Sequence, residues 1–176
     1  MTAPNSHRRS FVMGAGAALF AASARGESGV TPPPSPRLTF VYEALVLLAK
    51  DVPHGRTPHG ERFRAPIIGG DFYGTDFSGK IVPGGADWQL LRSDGWFELD
   101  ASYFMETSDG VQIQVRNHGL WHSDSGDWPA DYAYTTPEFE APNGRYEWLN
   151  RRVFVGTVSP SPDSRPAVVI RVWAVG

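Results

Sequence analysis

The sequence predicts an all-β fold, most simply an antiparallel up-and-down barrel of eight or nine strands, with a β-sandwich as the alternative. Two Asp-Gly pairs, Asp94-Gly95 and Asp109-Gly110, are each flanked by alternating apolar and polar residues, which is the pattern of β-hairpins. No segment has a sustained helical period, and 15 prolines and 19 glycines suit a loop-rich β protein. We favour the barrel because strands joined in chain order by hairpins close most simply that way.

The predicted elements follow one another with short turns between them. Leu38–Ala49 is predicted as a long first strand, because Thr39 to Tyr42 favour a strand and Pro53 stops it. The remaining elements are, in order, a turn at His54–Glu61, strands at Arg64–Phe72 and Lys80–Val82, a turn at Pro83–Gly85, strands at Ala86–Arg92, Trp96–Thr107 and Val111–Asn117, a polar loop at Ser123–Tyr132, a strand at Tyr134–Glu140, a turn at Pro142–Gly144, and strands at Trp148–Val158 and Val168–Val175.

The register of the central meander decides which side chains share a face, because a slip of one residue reverses them all. We predict a two-residue turn at Asp94-Gly95, which pairs Trp88 with Ala101. For the second hairpin we predict a three-residue loop, Ser108-Asp109-Gly110, which pairs Ala101 with Asn117. One face then carries the apolar residues together with Trp88, Tyr103 and Asn117, and looks like the barrel interior. The other face carries Asp87, Gln89 and Asp100.

Composition narrows the classes of function. The absence of cysteine excludes disulfides, thiolate catalysis and iron–sulfur clusters. A formal net charge of −3 and the lack of a basic stripe argue against nucleic acid as a partner. The chain has 41% hydrophobic residues, including six Trp, six Tyr and ten Phe. In a β-barrel such aromatic residues either fill the interior or line a ligand pocket.

The N-terminus predicts export. Arg8-Arg9 precede an apolar run, Phe11–Ala22, and Ala22-Ser23-Ala24 has the form of a cleavage site. We therefore interpret residues 1–24 as a twin-arginine signal peptide, with an ordinary secretory signal as the alternative. The run is too short to span a bilayer, so no integral membrane segment is expected after signal removal. Residues 25–36 are predicted to be a Pro-rich linker, and residues 37–176 to form the folded domain. We expect the twin-arginine translocation machinery to export the chain, so that the mature protein is periplasmic or secreted.

Several motifs resemble those of the DUF3237 family, also called UPF0311. They run from about Gly55 to Gly156, and the combination of GGADWQ with LDA-x-Y is the most specific of them. The matching residues are Pro66–Gly74, Pro83–Gln89, Arg92, Asp94-Gly95, Leu99–Tyr103, Thr107, Asp109-Gly110, Asn117, Gly119, Tyr132, Thr136-Pro137, Phe139-Glu140, Arg145-Tyr146, Trp148–Asn150 and Phe154–Gly156.

The resemblance implies a small β-barrel that encloses a pocket, but it carries over no established catalytic residues. The family's pattern usually has Arg where this chain has Ser102, and Phe-Arg where it has Ala133-Tyr134. A role of those arginines in holding an anionic ligand would therefore not extend to this chain.

Asp87 and Asp100 are the candidate catalytic residues. Two carboxylates held close together raise the pKa of one of them, which suits a general acid or base near neutral pH. The alternative is that both accept hydrogen bonds from backbone amides or lie in water, and the predicted register, which points them away from the apolar face, favours that alternative.

The candidate substrate-binding residues are aromatic or carry amides, as expected in a barrel that holds a small organic ligand. They are Trp88, Gln89, Tyr103, Asn117, Trp148 and Asn150. The alternative is a packed core in which their polar atoms bond to the backbone.

No cofactor or metal is predicted. His118 and His122 have helical spacing but lie at a predicted strand end, and Asp124, Asp127 and Asp131 lack the spacing of a calcium loop.

The first functional hypothesis is an exported small-molecule-binding barrel that performs cofactor-independent acid/base catalysis, such as elimination, isomerisation or hydration, on an aromatic or polyketide-like compound. The second is a non-catalytic binding or carrier protein of the envelope, and the third is a homo-oligomerising interaction protein.

Overall fold

In a computed structural model, which describes residues 34–163 and 165–176, the chain forms one antiparallel sheet of nine strands and a short 3₁₀ helix, Glu147–Arg151. The strands are β1 (Leu38–Leu48), β2 (Val52–Thr57), β3 (Gly60–Gly74), β4 (Ser78–Leu91), β5 (Phe97–Thr107), β6 (Gln112–His122), β7 (Tyr132–Glu140), β8 (Val153–Pro160) and β9 (Ala167–Val175).

The sheet closes into an eight-stranded barrel. Strand β1 pairs with β9 on one side and with β3 on the other, while β3 to β9 follow one another in chain order. Strand β2 lies outside the ring and pairs with β3 alone. The predicted up-and-down barrel is therefore confirmed. The predicted signal peptide and most of the linker lie outside the described residues and stay predictions.

Three predicted elements were wrong in their boundaries. The predicted turn at Pro83–Gly85 is a bulge inside the continuous strand β4, where the register with β5 shifts between Val82 and Ala86. The predicted turn at His54–Glu61 belongs largely to the hairpin of β2 and β3. The predicted strand Trp148–Val158 divides into the 3₁₀ helix and β8.

The two Ser-Asp-Gly turns have the same geometry. Arg92 N–H donates to Trp96 O at 2.9 Å, and Thr107 N–H donates to Val111 O at 2.9 Å, so each turn is a three-residue loop. Gly95 and Gly110 close these loops at φ of 85° and 81°, a region that glycine occupies without strain. The predicted two-residue turn at Asp94-Gly95 was therefore wrong, whereas the predicted three-residue loop at Ser108–Gly110 is confirmed.

The longer first turn shifts β4 by one residue against β5. Asp87, rather than Trp88, lies opposite Ala101, so Asp87 and Gln89 face the interior and Trp88 lies 45% exposed on the outer surface. The predicted pairing of Ala101 with Asn117 is confirmed.

The interior divides into two halves. One, the closed half, is filled by large buried side chains, and the segment that carries the 3₁₀ helix packs against its end. Its main members are Tyr42, Phe72, Phe77, Met105, Ile113, Tyr146, Leu149 and Phe154. The other, the open half, surrounds a cavity.

Candidate ligand cavity and acid/base site

The cavity of the open half has a volume of about 330 Å³ and is lined by residues from all eight barrel strands. This volume is at the small end of the range for organic ligand sites. Most of the wall is apolar. Asp51, which follows β1, and Gly126–Trp128, from the loop between β6 and β7, lie at the edge of the cavity, and Asp51 and Asp127 are exposed. The cavity therefore opens to solvent at this end of the barrel.

Polar atoms without partners are concentrated in the cavity wall. Among residues 34–163 and 165–176, six buried side-chain atoms lack a hydrogen-bond partner, and four of them belong to cavity-lining residues. These four are Tyr103 Oη, Asn117 Oδ1, Trp121 Nε1 and Thr135 Oγ1. Buried polar atoms are normally paired, and leaving one unpaired costs about 1–3 kcal/mol. These four atoms have almost no accessible surface, so they lie within the wall and not on the open surface of the cavity.

Three of these residues form a polar floor, which we define as Tyr103, Asn117 and Thr135. Each is only 4% exposed. Asn117 lies diagonally across from Tyr103 on β5 and from Thr135 on β7, because its direct partners are Ala101 and Pro137. Side chains at diagonal positions of neighbouring strands are within reach of one another. Because Tyr103 lies opposite Val115 and Thr135 lies opposite Gly119, the three residues follow one another along the cavity wall.

Burial raises the pKa of Tyr103 to about 12, and the charge of Asp87 adds to this shift. The Tyr42 pKa is also raised by burial, and the two hydroxyls lie close enough for a weak hydrogen bond, which lowers the Tyr103 pKa in part and raises that of Tyr42. Tyr103 therefore stays protonated at neutral pH, with its hydroxyl directed at that of Tyr42.

Asp87 is the carboxyl group best placed for proton transfer. Its Oδ2 accepts from Gln89 Nε2 at 2.8 Å, and its Oδ1 accepts from the backbone N–H of Asp100 at 2.8 Å. Burial raises the pKa of Asp87; these two hydrogen bonds lower it in part, and the charges of Asp100 and Asp51 raise it further. Asp87 therefore holds a proton at higher pH than an ordinary aspartate does.

Asp100 lies on the other face of β5. Its Oδ1 lies 3.5 Å from Arg116 Nε and 3.4 Å from His118 Nδ1, and it does not line the cavity. The two predicted catalytic carboxylates thus lie on opposite faces of the barrel wall. The contact between the two residues is the hydrogen bond from the Asp100 backbone N–H to Asp87 Oδ1.

The predicted binding residues are distributed between cavity and exterior. Gln89, Tyr103 and Asn117 line the cavity. Trp88 lies outside, with the Arg64 guanidinium 5.8 Å from its ring centre. Ser102, where the family pattern usually has Arg, also lines an outer groove.

Trp148 and Asn150 lie at the closed end, because the segment expected to be a strand there forms the 3₁₀ helix. The Trp148 ring is 6.2 Å from that of Phe154. The Asn150 side chain accepts from Ala141 N–H at 2.7 Å and donates to Ala141 O at 2.8 Å. Asn150 therefore fixes the chain that follows β7.

Sequence reasoning missed Asp51, Trp121, Trp128 and Thr135. The signal for Trp121 was present, because Asn117, Gly119 and Trp121 alternate on one face of β6. The predicted strand ended at Asn117, and Trp121 was consequently assigned to no element.

Within the described part of the chain, one group of side chains has the composition of a metal site. Potential ligand atoms of His122, Asp124 and Asp131 lie within 4.8 Å of one another. Asp131 Oδ2 already accepts from Asp124 N–H at 2.7 Å, and the His122 ring stacks on Trp96 at 4.7 Å. These contacts account for the proximity of the three residues.

The fold and the cavity define a small closed β-barrel with an internal pocket. The chain belongs to the DUF3237 family, described as a protein of unknown function, whose model matches residues 36–175. No helix in the described residues is both long and apolar enough to cross a membrane.

Relatives in bacteria share most of the chain. A UPF0311 protein of Rhodopseudomonas palustris is 32% identical over 154 residues, which cover 81% of this chain and 98% of that protein. A solved structure from the same species, described as a conserved protein of unknown function, is 31% identical with a TM-score of 0.75 and covers 82% of this chain and 100% of that one. A β-barrel-like protein of Acinetobacter baumannii has a TM-score of 0.73 at 30% identity, over 82% of this chain and 99% of that one.

A fungal relative has a named activity. A hydroalkoxylation enzyme of Penicillium herquei is 27% identical over 158 residues, which cover 90% of this chain and 93% of that enzyme.

Proposed function

We propose that the barrel binds a small organic molecule in its cavity and transfers protons to and from it through Asp87, without a cofactor. The observation that carries this proposal is a carboxyl group with a raised pKa facing a largely apolar cavity of about 330 Å³. Perturbed carboxyl groups in concave, partly desolvated sites are the usual general acids of enzymes.

The reaction class that we propose is the addition of a hydroxyl group across a carbon–carbon double bond, or its reversal as an elimination. Protonated Asp87 gives its proton to one alkene carbon, and the substrate's hydroxyl oxygen bonds to the other. The hydroxyl proton then returns to the Asp87 carboxylate, so the net change is an isomerisation with no other reactant. The name of the Penicillium herquei relative supports this class.

Neighbouring residues have distinct roles in this scheme. Gln89 and the Asp100 amide hold the Asp87 carboxyl in one orientation. The apolar wall limits the access of water, which would compete with the substrate hydroxyl for the polarised alkene.

A non-catalytic carrier is the second candidate function, and one observation favours it. Both Asp87 oxygens already accept hydrogen bonds from the protein, so this carboxylate is also placed to support the wall of a binding protein. The difference between the two functions is chemical turnover.

Turnover in D₂O with unsaturated phenols, beginning with 2-allylphenol, tests the proposal. We expect the protein to form the cyclic ether with one deuterium on the protonated carbon, and we expect Asp87→Asn to lower the rate by roughly 10²–10⁴-fold, as for other general acids. Asp100→Asn, on the outer face, is the matched control and should keep most of the rate. Equal rates for Asp87→Asn and the parent protein would contradict the catalytic role. Binding without turnover would support the carrier.

We also propose that the chain is exported through the twin-arginine pathway, which the Arg8-Arg9 pair, the following apolar run and the Ala22–Ala24 site support. N-terminal sequencing of protein from the host's periplasm or medium should begin at Arg25. A mature chain that still begins at Met1 would contradict export by this route.

A further inference from the structure

Asp87 has a second carboxyl group beside it in the same layer of the barrel wall. Ala65 on β3 lies opposite Asp87 on β4. On the other side of β3, Val52 pairs with Arg64, so Asp51, the residue before Val52, lies beside Ala65. The order across the wall is therefore Asp51, Ala65 and Asp87, and all three residues line the cavity.

The short side chain of Ala65 leaves the space between the two carboxyl groups open. Neighbouring strands are about 4.8 Å apart, so the backbones of Asp51 and Asp87 are separated by about 10 Å across two strand spacings. In other enzymes, two carboxyl groups that act on opposite sides of one reacting centre are about 5–10 Å apart. A reacting group of a bound molecule therefore fits between Asp51 and Asp87.

The two carboxyl groups have unlike surroundings. Asp51 is exposed at the mouth of the cavity, whereas Asp87 is held in the wall by Gln89 and the Asp100 amide. The charge of Asp51 is one of the causes that raise the pKa of Asp87, so the two groups act on each other across Ala65. Of two interacting carboxyl groups in such environments, the buried one keeps its proton longer and serves as the acid, and the exposed one serves as the base.

We infer that Asp51 is the general base of the proposed reaction, so that the cavity acts on its substrate with two carboxyl groups. Asp51 takes the proton of the substrate's hydroxyl while the oxygen bonds to one alkene carbon, and Asp87 gives its proton to the other carbon. Asp51 then passes its proton through the solvent at the mouth to the Asp87 carboxylate, and no proton is gained or lost. This inference rests on the proposed function and adds a second catalytic residue to it.

Two substrates of different acidity separate the base from the acid. They are 2-allylphenol and 2-allyl-4-nitrophenol, whose hydroxyl is far more acidic and needs little help from a base. We expect Asp51→Asn to lower the rate for 2-allylphenol by about 100-fold and the rate for the nitrophenol by less than about tenfold. Asp87→Asn should lower both rates by similar factors, because both alkenes must be protonated. A merely structural effect of Asp51 would likewise lower both rates alike.

Chemical rescue gives a second measurement. Asp51→Ala leaves a space at the mouth that formate can enter from solvent, so formate should raise the rate of this variant by about tenfold or more and leave Asp87→Asn as slow as before. Asp124→Asn is the matched control, because it removes an exposed carboxylate in the loop between β6 and β7 that does not line the cavity. It should keep the parent's rate. Calorimetry should show that Asp51→Asn changes the Kd of 2-allylphenol by less than about threefold, so that its loss lies in turnover.

Three outcomes overturn the inference and leave the catalytic role of Asp87 standing. They are an Asp51→Asn variant that converts 2-allylphenol at the parent's rate, equal losses for the two phenols, and an Asp51→Ala variant that formate does not rescue. Conversely, a slow Asp51→Asn variant beside an Asp87→Asn variant of normal rate would refute the role of Asp87 and retain that of Asp51. A parent protein that converts neither phenol would refute both.

Discussion

The closed and open halves of this barrel are built from the same strands but treat their polar groups differently. In the closed half, Asn150 uses both ends of its amide on the backbone of Ala141. In the open half, the oxygen of Asn117 is buried with no partner. The same residue type thus uses its full hydrogen-bonding capacity in one half and leaves a buried oxygen unpaired in the half that holds the cavity.

The two Ser-Asp-Gly turns repeat this contrast. At the closed end, Asp109 accepts hydrogen bonds from Tyr146 Oη at 2.8 Å and Thr107 Oγ1 at 2.6 Å, and so ties the turn to the segment that covers the barrel. The other turn holds Asp94, which bonds only to its own hairpin through Arg92 and the Trp96 amide. Identical turns therefore serve a tertiary contact at one end and a simple chain reversal at the other.

Truncating one leucine in each half should give the largest difference in stability. Leu149 is 1% exposed in the closed half, so Leu149→Ala leaves a new void and should lower the free energy of unfolding by about 3–4 kcal/mol. Leu99 already borders the cavity, so Leu99→Ala should cost only about 1 kcal/mol. Urea unfolding measures both. Equal losses would mean that the two halves are packed alike.

The same substitution at two asparagines gives the next effect. Asn150→Leu leaves the N–H and C=O of Ala141 without their partners and should cost about 1–2 kcal/mol. Asn117→Leu removes an acceptor that has no partner, so it should leave the stability of the ligand-free protein unchanged or higher. A loss at Asn117 as large as that at Asn150 would show that the floor is already satisfied within the protein.

The two turn glycines should respond equally. Gly95→Ala and Gly110→Ala place a side chain at a positive φ with no neighbouring atom within 4 Å, so backbone strain alone should cost each about 1 kcal/mol. Thermal unfolding of the two variants provides the comparison. If only one of them destabilised the protein, the two turns would not share one geometry.

The smallest effect concerns pH and Asp87. Because the folded-state pKa of Asp87 is raised, the unfolded chain loses this proton first, and stability falls as pH rises from about 4 through the folded-state pKa. Asp87→Asn should lack this decline and be at least as stable as the parent at pH 7. The difference in Tm between the two proteins across this range isolates Asp87 from other groups. A difference that does not vary with pH would contradict the raised pKa.

Much of the fold was predictable from the sequence, and the candidate site was only partly so. Hairpin signals and apolar alternation gave the class of fold and most strand positions, because both act over a few residues. The inner face of β4 was mispredicted because Asp94-Gly95 permits a loop of two or of three residues. One additional turn residue moves every side chain of the strand to the opposite face. Thr135 and Asp51 carry no local signal, since only closure of the barrel brings them to the cavity.

A crystal structure of the Asp87→Asn variant grown with saturating 2-allylphenol tests most directly whether the open half holds a small organic molecule. We predict one molecule of the phenol in the cavity, in contact with the residues that line it, and the closed half unchanged. A cavity that stays without the phenol would contradict the account.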